Sequence, residues 1–289
     1  MKKTTRFRSL VNAPELLMMP AAHDGISALA IEQAGFSAMC AAGFGSSASA
    51  LGLPDFGLMS STEMLNHYAG IIARVEIPVM IDVDTGFGDV NNVIRTVRQA
   101  EDMGAAALFI EDQTFPKRCG HMEGKSVVSA QEYLPKLKAA LWARRDPDFV
   151  IMARTDAAAQ HGLDEAIRRA RLYAEAGADM VFVEAVRTVD DMKKVNASVN
   201  APSMANMIEG GRTPFLSAKE LEAAGYAVAA YPCASVFATA RIMQRWAGHL
   251  KARGTTEGFA SPETMMDFDE FFRFIGGEEI REREQRFTK

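Results

Sequence analysis

Eight short apolar runs, interleaved with helical patterns that close on glycine, constrain this chain more than any other feature of its sequence. The runs are LLMMPAA (16–22), SAMCAAG (37–43), PVMIDVD (78–84), AALFIED (106–112), DFVIMART (148–155), DMVFVEA (179–185), PSMANM (202–207) and AVAAYPC (227–233). Most are nearly continuous rather than alternating, as strands of a parallel sheet covered on both faces must be. Helical patterns at 25–35, 89–104, 163–177 and 217–225 end on Gly35, Gly104, Gly177 and Gly225, and a strand follows each within a few residues. Glycine at that place supplies the left-handed cap that stops a helix. Ser217 and Glu220 have the spacing of a capping box. The alternation predicts a parallel α/β fold. Eight units with no nucleotide-type glycine fingerprint predict a closed (β/α)8 TIM-type barrel rather than an open sheet. GFGSSASALG (43–52) lacks both the G-K-[ST] ending and the GxGxxG spacing of phosphate loops; it reads as a substrate-facing loop.

The 289 residues suit one such barrel. We assign 1–254 to the barrel and 255–289 to a C-terminal helical extension of the same domain that contacts other subunits. SVFATARIMQRWAGHLKARG (235–254) has apolar residues at helical spacing. The tail at 261–287 adds more helix, with Phe268, Phe271, Phe272 and Phe274 reading as exposed packing surface. The net charge of −5 argues against nucleic acid as a partner. No apolar run approaches the ~20 residues that span a bilayer, and Glu15 interrupts the only apolar stretch near the basic N-terminus. A cytoplasmic protein is expected.

Three cysteines make no disulfide framework, and none has the CxxC spacing of a zinc site. Cys40 and Cys233 lie among small apolar residues and read as buried filler. Cys119, in FPKRCGHMEGK (115–125), differs: Lys117, Arg118 and His121 flank it, and nearby cations lower a thiol's pKa. Composition alone leaves a reactive thiol and an ordinary loop cysteine equally open.

A barrel of this kind carries its chemistry at the C-terminal ends of its strands. Those ends hold Asp82 and Asp84, Glu111 and Asp112, Arg154 and Asp156, Glu184 and Asn206; Asp55 lies in the loop after the second strand. Several carboxylates converging on one mouth repel each other and need a cation. Oxygen ligands without a His or Cys set favour Mg2+ or Mn2+ over zinc. Asp82 and Asp84, two apart, face the same way in an extended strand and address one ion. Arg154 offers a bidentate partner to a substrate carboxylate, or alternatively an internal salt bridge to Glu111 or Glu184. A metal beside an arginine implies a small, oxygen-rich acid as substrate.

Taken together, DVDTGFG, IEDQ…KRCGH, VIMARTDA, FVEA and MANMIEGGRTP resemble the isocitrate lyase and phosphoenolpyruvate mutase superfamily over almost the whole chain. KRCGH resembles the carbon–carbon lyase branch, that of methylisocitrate and dimethylmalate lyases. The resemblance implies a Mg2+-dependent barrel, commonly a homotetramer exchanging its C-terminal helices between subunits. It also implies cleavage of the C2–C3 bond of a 2-hydroxy dicarboxylate. By position, Cys119 corresponds to the general acid. Asp82 and Asp84 correspond to metal residues, with Asp55 and Glu111 around them. Ala42, Gly43, Phe44, Lys117, Gly120, His121, Arg154, Glu184 and Asn206 fall at substrate-binding positions or supply positive potential beside the departing carboxylate.

The departures from the family pattern bear on the substrate. Ala42-Gly43-Phe44 replaces Ser-Gly-Gly, and Cys40 stands where methylisocitrate lyases have Tyr, so no base for the substrate hydroxyl is identified. Phe237 and Phe268 stand where relatives keep two arginines for a third carboxylate. A buried carboxylate without them would cost several kcal/mol. The expected substrate is therefore 2,3-dimethylmalate, giving pyruvate and propanoate. Alternatives are 2-methylisocitrate, oxaloacetate hydrolysis or decarboxylation (those relatives place Ser where Pro232 stands), and a barrel that binds metal and acid without turnover.

Overall fold

The computed structural model describes residues 1–288 and divides into two compact units, 1–235 and 236–289. The first contains eight parallel strands: β1 (Leu17–Ala22), β2 (Met39–Ala41), β3 (Val79–Asp82), β4 (Ala107–Glu111), β5 (Val150–Thr155), β6 (Met180–Val183), β7 (Met204–Asn206) and β8 (Val228–Tyr231). Neighbours in sequence are neighbours in space, from β6 back to β1 and on to β8 and β7. Pairing of Leu17 with Val228 joins β1 to β8. A parallel bridge between Val181 and Ser203, with Val181 N–H donating to Pro202 O at 3.0 Å, joins β6 to the entry of β7 and brings the sheet round into a barrel.

The strand lengths follow from burial. Every residue of β2, β3, β4, β5, β6 and β7 is buried, so continuous apolar runs were the correct sign of strands with two covered faces. One set of side chains fills the barrel interior, including Met19, Met80, Phe109, Met152, Phe182 and Met204. The other set packs outward on the helices, as Ile81, Leu108, Ile110 and Ile151 do with Tyr68, Tyr133 and Tyr173. The four glycines expected to end helices all take positive φ, between 87° and 107°. The expected capping box at Ser217 and Glu220 is present, and Ser60 with Glu63 makes a second.

One reading is corrected. Residues 43–52 are not a loop: Gly43–Leu51 is a helix, ended by left-handed Gly52. Glycine and serine are poor helix formers, and here tertiary fit overrides propensity. Gly43, Gly45, Ser46 and Ser47 are buried, and a Cβ on Gly45 would come within 3.2 Å of His23 Cβ, so only small side chains let the helix lie this close to the barrel.

The second unit contains most of Ala234–Arg253, then Phe268–Phe274 and Gly277–Phe287. Phe272 packs on Gly277 and carries Arg281 over its ring, while Phe268 and Phe271 are exposed and Phe274 is half-buried. Two of the four phenylalanines expected to be exposed are thus partly covered. Among the described residues no helix is long and apolar enough to cross a membrane.

Candidate active site

The C-terminal strand ends surround one cavity. Ala42, Phe44, Asp55, Asp82, Lys117, Cys119, Gly120, His121, Arg154, Glu184 and Asn206 all line it. Gly43, Asp84 and Glu111 sit immediately behind: Gly43 N–H donates to Asp82 Oδ2 (3.1 Å), and Glu111 N–H donates to Asp84 O (2.9 Å). Every site residue expected from the sequence in the barrel unit is therefore brought together. Asp112 is not part of the group. It turns outward, accepting from Arg169, Thr155 and Tyr173, and serves the wall between strands and helices.

Asp82 and Asp84 converge for a different reason than strand alternation. The strand ends at Asp82, and Asp84 takes φ +48°, the left-handed region that costs a non-glycine residue about 1–2 kcal/mol. Asp84 N–H donates to Asp82 Oδ1 (2.9 Å), so a tight turn, rather than the pleat, holds the pair.

The electrostatics of the site are unbalanced. Asp55, Asp82, Asp84, Glu111, Asp156 and Glu184 are all buried, against the buried cations Lys117, Lys125 and Arg154. Lys117 Nζ lies 2.7 Å from Asp55 Oδ2 and 2.8 Å from Asp84 Oδ1. Burial opposes its charge, but Asp84, Asp55 and Asp82 together raise its pKa well above the ordinary lysine value. Arg154 contacts Asp156 (2.8 Å), Glu111 (3.2 Å) and Glu184 (3.2 Å) and stacks 5.2 Å from the Phe182 ring. Even so, burial pushes the Asp84 carboxyl up to about 7 and the Glu111 carboxyl well above its usual range. Asp84 is ion-paired with Lys117 and Glu111 with Arg154, and no hydrogen bond reaches Asp84 Oδ2 or Glu111 Oε1. Orphaned, desolvated carboxylate oxygens in a cluster with excess negative charge fit a hard divalent cation. Among the described residues no three His, Cys, Asp or Glu side chains form a ready-made ligand set; the Lys117 ammonium instead bridges Asp55 and Asp84.

A second group of the lining gathers on Glu184, which contacts His121, Asn206 and Arg154. Burial disfavours its charge, but Arg154 and His121 hold it well below the usual range. His121 Nδ1 accepts from Arg212 N–H (2.8 Å), which leaves the proton on Nε2 to donate to Glu184 Oε1 (3.1 Å). Asn206 Nδ2 donates to Glu184 Oε2 (3.0 Å). Gly120 is obligatory here, because a Cβ would collide with Glu184 and Arg154.

The loop carrying Cys119 is fastened along its length. Gln113 bonds both the N–H and the C=O of Arg118, Cys119 N–H donates to Asp55 O (3.2 Å), and Lys125 reaches Gly120 O and Asp156. The expected cationic depression of the thiol pKa does not occur. Lys117 is committed to Asp55 and Asp84, Arg118 lies over the Phe56 ring, and His121 faces Glu184. Burial dominates and pushes the Cys119 thiol up to about 11, offset in part by the His121 N–H. Cys119 is a thiol, not a thiolate, at neutral pH.

Sequence reasoning missed several parts of this site. Lys125, five residues beyond Gly120, had no partner legible in the sequence. Cys40 and Cys233 are buried as expected, yet both line the cavity, beside Met80, Phe109, Met204, Ile208 and Pro232. Cys233 and Pro232 directly follow β8, so the strand-end rule would have found them.

A buried acid cluster beside Arg154, Glu184 and Cys119 at the mouth of a (β/α)8 barrel defines a class of small-acid enzymes, and the chain's relatives belong to it. Residues 7–251 match the family model described as phosphoenolpyruvate phosphomutase. The chain is 44% identical over 289 residues to 2,3-dimethylmalate lyase of Eubacterium barkeri, covering 100% of this chain and 99% of that one. It is 41% identical over 260 residues to 2-methylisocitrate lyase of Bacillus subtilis (strain 168), covering 90% and 85%. A crystal structure of 2,3-dimethylmalate lyase superposes with a TM-score of 0.92 at 32% identity, covering 99% and 95%. Phosphonopyruvate hydrolase, solved with oxalate and Mg++, superposes with a TM-score of 0.89 at 30% identity, covering all of both chains. This chain belongs to the phosphoenolpyruvate mutase/isocitrate lyase superfamily.

Proposed function

We propose that the chain is a Mg2+-dependent carbon–carbon lyase that cleaves 2,3-dimethylmalate into pyruvate and propanoate. The observation that carries the chemistry is Cys119: a protonated, half-buried thiol on a fastened loop, lining the same cavity as the acid cluster and the Arg154–Glu184 pair. Asp82, Asp84 and Glu111 would hold the cation, with Asp55 beside them. Bound there, Mg2+ or Mn2+ supplies Lewis-acid stabilisation of negative charge developing on the substrate.

The chain's own residues do the rest. Arg154, His121 and Asn206, oriented by Glu184, receive the carboxylate of the departing half. As the C2–C3 bond breaks, its electron pair stays on C3, the hydroxyl of C2 releases its proton to solvent water, and C2 becomes a ketone. The Cys119 thiol gives its proton to C3, and the N–H of His121 supports the thiolate until solvent reprotonates it. A thiol with pKa near 11 suits an acid that must stay protonated until a strongly basic carbon forms.

The choice of a substrate with two carboxylates rests on the lining. His121, Lys117 and Arg154 are the basic residues of the cavity, and Lys117 and Arg154 are already matched to buried acids. Met204, Ile208, Pro232 and Cys233 offer apolar surface to methyl groups rather than a partner for a third carboxylate. We assign the exposed C-terminal helices to a homotetramer. A coupled pyruvate assay tests the reading. Turnover should be highest on 2,3-dimethylmalate, and a higher kcat/KM on 2-methylisocitrate would overturn the substrate assignment.

A further inference from the structure

Gln113 has no part in the reaction above, yet it is buried at the base of the Cys119 loop. It stands just past β4, where the chain leaves the barrel, and the loop returns beside it at Val127. Backbone bonds alone close that neck. Gln113 and Val127 form an antiparallel bridge, Thr114 N–H donates to Ser126 O (2.8 Å), and Val128 N–H donates to Asp112 O (2.9 Å). The Gln113 side chain is not needed for closure, and both of its bonds go to one residue inside the loop. Its Oε1 accepts from Arg118 N–H (3.1 Å) and its Nε2 donates to Arg118 O (2.9 Å).

Arg118 O belongs to the peptide that joins Arg118 to Cys119, and the N–H of that same peptide donates to Asp55 O (3.2 Å). A peptide unit is planar, so holding its two polar ends fixes its tilt. The next peptide is held as well, because Cys119 O accepts from Met122 N–H (2.9 Å). With the planes on both sides of Cys119 bonded, the direction in which its Cα carries the thiol is set. A primary amide suits this place because it offers an acceptor and donors together, as Arg118 N–H and C=O require. An ionised glutamate offers acceptors only, and a methionine of similar length offers no donor.

We propose that Gln113 is a positioning residue for the proton donor: its amide sets the Arg118–Cys119 peptide so that the thiol faces the carbon it protonates. The inference rests on the reading of Cys119 given above. Misplacing a reacting group by about 1 Å, through a change away from the chemistry, costs about 100-fold in rate.

The test compares wild type, Gln113→Met and Gln113→Glu by steady-state turnover of 2,3-dimethylmalate, by melting point, and by the rate at which iodoacetamide alkylates Cys119. Peptide mass mapping follows the alkylation, because Cys40 and Cys233 line the same cavity. Both variants should lose about 10–100-fold in kcat with KM little changed, since the groups that receive substrate are untouched. Alkylation of Cys119 should become severalfold faster, and the melting point should stay within a few degrees because the neck remains closed. Gln113→Glu keeps the bond to Arg118 N–H but repels the carbonyl, so it should do no better than Gln113→Met. Wild-type kcat in either variant would overturn the proposal, as would lost kcat with alkylation of Cys119 unchanged. Variants too unstable to fold would overturn it too, by making the amide a support of the fold rather than of the thiol. Wild type without turnover would overturn the lyase reading, and unchanged alkylation in both variants would separately overturn the positioning.

Discussion

The Lys117 ammonium stands 2.8 Å from Asp84 Oδ1, and both side chains are buried. The same ammonium holds Asp55 at 2.7 Å, so one lysine compensates two desolvated carboxylates. Breaking a buried pair by removing one partner costs about 3–5 kcal/mol, because the other charge is stranded. Lys117→Met should lower stability by that order in chelator-treated protein. Added Mg2+ should recover part of it, since a divalent ion can replace the missing charge. Thermal melts with and without Mg2+ measure both, and equal melting points for variant and wild type would contradict the pairing.

Cys119→Ser should cut turnover by orders of magnitude while leaving Mg2+ and pyruvate binding intact. A serine hydroxyl has similar shape but is a much poorer proton donor. Steady-state kinetics beside calorimetric binding separates the two effects, and near-normal kcat would remove Cys119 from the role of acid.

Gly120→Ala tests the seating of the loop. The added methyl group meets Glu184 and Arg154, so the loop cannot settle where it does. The barrel core is untouched, and the expected result is a loss of kcat/KM of at least a hundredfold with a melting point within a few degrees of wild type. A variant that keeps full activity would mean that the seated loop is not the catalytic arrangement.

Chelation should abolish turnover, with Mg2+ or Mn2+ restoring it. Binding to the folded state alone adds about 2.7 kcal/mol of stability at a hundredfold excess over Kd. The melting point should therefore climb with metal concentration, and Asp84→Asn should flatten the climb. Activity that survives exhaustive chelation would contradict the assignment of the acid cluster.

Much of this was legible in the sequence because burial writes itself into composition. Mostly continuous apolar runs marked the eight strands, and the residues at or just past their ends named the site, from Asp82 and Glu111 to Arg154 and Glu184. Partner choice was what the sequence concealed. The basic residues around Cys119 read as a cationic cradle, yet Lys117 answers acids from β3 and the loop after β2, and His121 answers Glu184 from β6. Distances of tens of residues separate those partners, so no local pattern announces them. The helix at Gly43–Leu51 was hidden for a related reason: its glycines and serines oppose a helix locally and are required by what packs against it.

Asp156 holds Arg154 through two hydrogen bonds and Lys125 through a third. One carboxylate thus joins the arginine assigned to bind substrate with the lysine that anchors the end of the Cys119 loop. A ligand that draws Arg154 toward itself changes the charge that Lys125 meets, and the loop's departure changes what Arg154 can offer. Such linkage is reciprocal: whatever free energy the ligand contributes to keeping the loop down, the loop contributes equally to retaining the ligand. Affinity for the acid and the stability of the seated loop therefore share one coupling free energy, carried through Asp156, a residue that takes no part in the bond being broken.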